Sequence, residues 1–178
     1  MLDTVTNPIR KSLPRHLVEF LGDRDSIETY IAEYEKKPIV NDIIKINTQN
    51  VMNVIKPFYD SKDIEINIGQ VAWIIGEPLK NANFYSGNDD KPITFGAYMS
   101  ENGLVTSYND GGEYFRNQNV KRYWENKEHY HEKFNGKIHG VGKGLGTRII
   151  YHNADIIYVD ASEGTLYIGL GINKILLK

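Results

Sequence analysis

Four glycines, Gly140, Gly142, Gly144 and Gly146, alternate within seven positions, and the helix-forming run Leu145 to Ala154 begins among them. Glycine loses more backbone freedom on ordering than any other residue and brings no side chain to a core. Such a run has few purely structural uses. Alternating glycines expose successive backbone N–H groups, and a helix N-terminus adds partial positive charge. The segment therefore predicts a cradle for phosphate, to which Lys143 adds a full charge. It is not a Walker A loop, because the spacing G-x-x-x-x-G-K-[ST] is absent. It is not a dinucleotide fingerprint either, since no strand directly precedes it and no βαβ unit surrounds it.

Around this run the chain reads as α+β. Residues 1–38 look like a short N-terminal helical extension, with Ser26 to Lys37 as a polar helix whose stripe is Ile27, Tyr30, Ile31 and Tyr34. The main domain follows over 39–178. Ile39 to Asn47 is expected as a strand and Thr48 to Tyr59 as a helix. Asp63 to Phe84 is the strongest helical segment, since Ile64, Ile68, Val71, Ile75, Leu79 and Ala82 recur at three- and four-residue spacing. Pro92 to Met99 and Leu104 to Tyr108 read as a hairpin turning at Glu101-Asn102-Gly103. A long polar stretch has a helical middle around Asn119 to Phe134. Asp155 to Asp160 and Thr165 to Ile172 are expected as a final strand pair. A mixed β-sheet with its helices gathered on one face, a two-layer sandwich, fits this order.

Composition narrows the function. Lys plus Arg number 21 against 23 Asp plus Glu, a net charge of -2, so no basic field exists to hold a nucleic-acid backbone. The absence of cysteine removes disulfides, thiolate-held metals and thiol catalysis. No apolar run approaches the ~20 residues that span a bilayer, and the first residues lack the apolar core of a secretory signal. The expectation is a cytoplasmic protein with no membrane and no nucleic-acid partner.

Two further clusters carry polar groups suited to chemistry. Glu77 and Asn81 are four apart on the long helix and share a face. A carboxylate and an amide oxygen so placed suit Mg²⁺, which prefers hard oxygen ligands and keeps several waters. The carboxylate can also orient a water or hydroxyl for attack on phosphorus. A solvated helix face is the plainer reading of the same pair. Ser107 to Gly112 (SYNDGG) closes a strand, and Asp110 there suits an acceptor for an exocyclic amine, with Gly112 letting a flat ring approach. A polar turn is the plainer reading here.

Taken in order, Glu77-x-x-x-Asn81-Ala82, Asp110-Gly111-Gly112, Gly140-x-Gly142-x-Gly144-Leu145-Gly146 and Glu163-Gly164-Thr165 resemble the boxes of the GHKL, or Bergerat-fold, ATPase superfamily. The resemblance covers about residues 39–172. In size and late layout it is nearest to the compact anti-sigma-factor serine kinases and the histidine-kinase-like ATPase domains. It implies ATP and Mg²⁺ as cofactors, with Asn81 as the metal ligand and Glu77 as the catalytic, water-polarising carboxylate. Asp110 and Gly112 would hold adenine, with Thr165 supporting Asp110 through water. Gly140, Gly142, Lys143, Gly144, Leu145 and Gly146 would wrap the phosphates, and residues 113–140 would be the lid. The implied function is ATP hydrolysis or phosphorylation of a partner protein on Ser/Thr. A non-catalytic, nucleotide-gated interaction module is the alternative. A regulatory protein partner is implied, and the apolar stripe of the extension leaves room for a homodimer.

This sequence departs from the family pattern at three places. Tyr114 stands where the first glycine box ends in glycine, and Asn109 competes with Asp110 if the register slips by one. Pro78 lies inside the helix next to Glu77, where it is expected to kink it. The lid is long and carries RYWENKEHYHEKF, whose Lys121, Arg122, Lys127 and Lys133 are offset by Glu125, Glu128 and Glu132, a mixed solvated face. His129 and His131 are two apart and face away from each other on a helix, so they form no metal pair there. His16 is read either as a packing or surface residue or as a phosphoacceptor, and Trp73 and Trp124 as packing residues.

Overall fold

A computed structural model describes residues 13–36, 49, 51–86, 91–126, 132–134, 137–139 and 145–177. In chain order the helices are α1 (Arg15–Leu21), α2 (Lys56–Asp60, entered through a wide π-helical turn, Val51–Ile55), α3 (Ile68–Tyr85), α4 (Gln118–Asn126), α5 (Leu145–Asn153) and α6 (Ile172–Ile175). The strands are β1 (Glu28–Tyr34), β2 (Ile93–Ser100), β3 (Gly103–Asn109), β4 (Glu132–Phe134), β5 (Lys137–His139), β6 (Ile156–Asp160) and β7 (Thr165–Gly171). Five strands form one sheet in the order β1-β2-β3-β7-β6, and β4 with β5 makes a separate two-stranded ribbon. Among the described residues no helix is long and apolar enough to cross a membrane.

The α+β class is as expected, but two details differ. Every pairing within the five-stranded sheet is antiparallel, so the sheet is not mixed among the described strands. The helices do not all gather on one face. One face carries Ile93, Phe95, Ala97, Leu104, Tyr108, Leu166 and Ile168 against Val71, Ile75 and Leu79 of α3 and Val120 and Trp124 of α4. The other face carries Tyr98, Val105 and Tyr167, which α1 covers with Leu17 and Leu21. Period-2 alternation along β2, β3 and β7 makes both faces apolar, and each face needs a cover.

The segment expected as a polar helix over Ser26 to Lys37 is strand β1, paired with β2 from Glu28↔Met99 to Tyr34↔Ile93. Ser26 does not cap a helix; Asp23 caps a short 3₁₀ turn ending at Ser26. Tyr30 and Tyr34 pack toward α3's side of the sheet and Ile31 toward α1's side. Residues 28–34 are thus part of the main sheet rather than of a separate extension. The strand expected at Ile39 to Asn47 lies outside the described residues.

The hairpin is where expected, turning at Glu101–Asn102, and it anchors two other elements. Asn102 Nδ2 donates to the Leu21 carbonyl at the end of α1 at 3.1 Å. Gly22 takes φ +96° directly after α1, and a Cβ there would lie 2.5 Å from Asn102 Nδ2. The Tyr59 hydroxyl, from α2, donates to the Gly103 carbonyl at 2.7 Å in the core. Of the helix expected over Asn119 to Phe134, α4 covers residues up to Asn126 and Glu132–Phe134 is strand β4, while 127–131 lie outside the described residues. Trp124 is fully buried as a packing residue, whereas Trp73 is 44% exposed and is not one. His16 packs edge-on to Tyr158, ring centroids 4.7 Å apart.

Candidate functional site

Helix α3 begins with Asn67, whose side chain accepts from the Gln70 N–H at 3.0 Å. This satisfies one of the N–H groups a helix start leaves open. The helix continues through Pro78 to Tyr85 as one element, with Pro78 itself buried against the core. Its apolar face seats it on β2 and β3 and beside α5. Glu77 is not on a solvated face: its side chain is 12% exposed. Lys80 Nζ donates to Glu77 Oε1 at 3.3 Å. Asn81, one turn on, is half-buried.

Asp110 follows the last residue of β3, the middle strand of the five. Strand alternation turns it to the same face as Tyr108, and it is 0% exposed. Its Oδ2 accepts from the Tyr114 N–H at 3.2 Å. Its Oδ1 has no hydrogen-bond partner among the described residues. Burial holds this carboxyl above its ordinary range, although the Tyr114 amide, the Lys36 charge and the backbone amides of Gly112 and of Asp110 itself oppose the shift. An acceptor oxygen kept dry and unpaired is costly, and native structures keep few of them. Such an oxygen is a ready partner for an N–H donor that enters with a ligand.

The register turns Asn109 and Asp110 to opposite faces of the sheet. Asn109 pairs across the sheet with Thr165, and its Nδ2 donates to Thr165 Oγ1 at 3.0 Å and to the Glu163 carbonyl at 2.8 Å. Asn109 Oδ1 accepts from the Gly111 N–H at 2.8 Å. Thr165 therefore faces the side of the sheet away from Asp110, and the expected water-linked pair is not brought together. Gly112 lies in the turn directly after Asp110, half-buried. Tyr114, standing where the glycine box would end in glycine, is a fully buried core residue. Its ring stacks on Tyr85, the last residue of α3, with centroids 5.3 Å apart.

A third group of contacts joins α3, α4 and α5. The Tyr123 hydroxyl of α4 shares a hydrogen bond with Thr147 and feels the Glu77 charge; burial is the main cause that pushes this phenol up. The Tyr151 hydroxyl of α5 donates to the Tyr123 carbonyl. Glu77 and the first turn of α5 thus converge on one tyrosine of the expected lid. Of the phosphate cradle, Leu145 and Gly146 are the first residues of α5. Gly140, Gly142, Lys143 and Gly144 lie outside the described residues.

Lys121 and Glu125, read from the sequence as part of a solvated face, clamp α4 to β6. Lys121 Nζ donates to the Val159 carbonyl at 2.6 Å, and Glu125 Oε1 accepts from the Val159 N–H at 2.8 Å. The two side chains also pair at 2.7 Å. They satisfy both backbone groups of Val159 on the terminal strand of the sheet order. The one sequence signal for this is their four-residue spacing, which also fits an ordinary surface pair. Among the described residues no three His, Cys, Asp or Glu side chains gather as a metal site. A divalent ion at Glu77 and Asn81 would complete its shell with water and ligand oxygens. No family model, curated protein or solved structure matches the chain.

Proposed function

We propose that the chain is a Mg·ATP-binding regulatory domain of the GHKL type, which hydrolyses ATP or phosphorylates a partner protein on Ser/Thr. The observation that carries this reading is Asp110 at the end of the central strand, fully buried with Oδ1 unpaired among the described residues. An adenine amine supplies the donor this oxygen lacks, and a carboxylate that accepts it gains a charge-assisted bond. Glu77 supports the reading as a carboxylate largely withdrawn from water, one turn before Asn81 and beside the helix that follows the glycine run. In the proposed arrangement Asn81 holds Mg²⁺, Glu77 polarises the attacking oxygen, and the glycine run from Gly140 to Gly146 holds phosphate. Phosphoryl transfer asks of the protein mainly this positioning and charge stabilisation. Such a domain belongs in the ATP-rich cytoplasm, with a regulatory protein or a second copy of the chain as partner.

The contact of Tyr123 with Thr147, beside Glu77, favours a second reading: a nucleotide-gated switch without turnover. Here α4 would exchange its hold on α3 and α5 for a partner when ATP enters. Calorimetric titration with Mg·ATP, followed by steady-state turnover with Glu77→Ala as control, separates the two. Binding with turnover that falls on Glu77→Ala supports the enzyme. Binding without turnover supports the switch. Absence of binding removes both.

A further inference from the structure

Helix α3 sets a cation directly beside Glu77. Successive residues of an α-helix turn by ~100° about its axis, so Lys80 and Asn81 stand ~60° and ~40° to either side of Glu77, about one turn further along. Lys80 Nζ donates to Glu77 Oε1 at 3.3 Å. It is the one ion pair that Glu77 makes among the described residues. The two partners differ in their surroundings: the Glu77 side chain is 12% exposed and the Lys80 side chain 43%. Lys80 thus joins a carboxylate largely withdrawn from water to the open surface.

Tyr123 of α4 and its partner Thr147 of α5, which converge on the same carboxylate, are neutral at working pH, so Lys80 supplies the cation of this group. An ammonium has three N–H donors, and one carboxylate oxygen takes one of them. A pair with one member this exposed adds little to stability. The lysine stem is flexible, and its head can exchange one anion for another.

We propose that Lys80 is a nucleotide-binding residue, whose ammonium leaves Glu77 for the terminal phosphate when Mg·ATP enters. The inference rests on the nucleotide reading above. With Asn81 holding the metal ion at the phosphates and Glu77 polarising the attacking oxygen, a lysine that flanks the carboxylate meets the phosphate under attack. That phosphate carries more negative charge than one carboxylate and draws the ammonium across. Glu77 Oε1 is then released to accept a water or hydroxyl, so the carboxylate becomes available only with the complete substrate in place. On the phosphate, the ammonium offsets charge spread over the oxygens of the transferring group. ADP lacks the terminal phosphate, and with ADP bound Lys80 stays on Glu77.

Calorimetric titration of the full chain with Mg·ATP and with Mg·ADP tests this in the wild type, Lys80→Gln and Lys80→Arg. Lys80→Gln is expected to weaken Mg·ATP about tenfold, through loss of a bond between charged groups, and to leave Mg·ADP within about twofold. Retained Mg·ADP binding also shows that the variant is folded. Lys80→Arg, which keeps the charge, restores most of the affinity for Mg·ATP. Equal weakening of both nucleotides, or an unchanged affinity of Lys80→Gln for Mg·ATP, overturns the role of Lys80 and leaves the nucleotide reading standing. A wild type that binds neither nucleotide overturns both.

Discussion

Across β3 and β7 the Asn109 side-chain amide donates to the Thr165 hydroxyl at 3.0 Å, and the register that makes them neighbours turns Asp110 to the other face of the sheet. One carboxylate is thereby buried with one oxygen unpaired among the described residues.

The first prediction concerns its titration. Burial raises the folded-state value of Asp110 above the unfolded one. Between those two values the folded protein binds more protons than the unfolded chain, so this group's contribution to stability falls as pH rises. Above both values the penalty is complete and constant. Asp110→Asn removes it, so the free variant melts higher than the wild type at neutral pH. The gap closes as pH falls toward the ordinary carboxylate range. Melting curves of both proteins across that range check this.

Gly103 approaches the neighbouring strand too closely for a side chain. A Cβ there would stand 2.3 Å from the Leu170 carbonyl oxygen, which is backbone and cannot swing aside. Gly103→Ala should destabilise by about 3 kcal/mol, the upper end of ordinary overpacking costs. Urea denaturation measures it, with an unchanged slope if the fold is kept.

The docking of α1 makes residues before the expected domain start part of the folded body. Leu17 is fully buried between α1 and the second face of the sheet. Leu17→Ala should cost about 3 kcal/mol and shift one cooperative transition. A separate early transition would show that α1 is an independent appendage.

The clamp of α4 rests on Glu125 and Lys121 meeting the two backbone groups of Val159. Glu125→Ala leaves the Val159 N–H without its partner. Hydrogen exchange at that amide should speed by about tenfold, and stability should drop by about 1 kcal/mol. An unchanged exchange rate would mean that the amide is protected by something other than this carboxylate.

The elements legible in the sequence are those whose local chemistry and tertiary setting agree. The hairpin over Glu101-Asn102-Gly103, the long helix ending near Tyr85 and the closing strand pair are of this kind. Strand β1 was hidden because it contributes to both faces: Tyr30 and Tyr34 pack on one and Ile31 on the other. Ile27, Tyr30, Ile31 and Tyr34 consequently mimic helical spacing. The face that each of Asn109 and Asp110 takes depends on pairing with a strand more than fifty residues later, which no local pattern carries. The convergence of Glu77, Tyr123 and Thr147 likewise joins three helices distant in the chain.

The decisive measurement is the melting temperature with and without saturating Mg·ATP, for the wild type and for Asp110→Asn. A ligand bound only by the native state at about a hundred times its Kd adds about 2.7 kcal/mol. The wild type should melt several degrees higher with nucleotide, and Asp110→Asn should not respond. A wild-type protein indifferent to Mg·ATP, or an Asp110→Asn protein that responds equally, would contradict the assignment of Asp110 as the residue that reads the base.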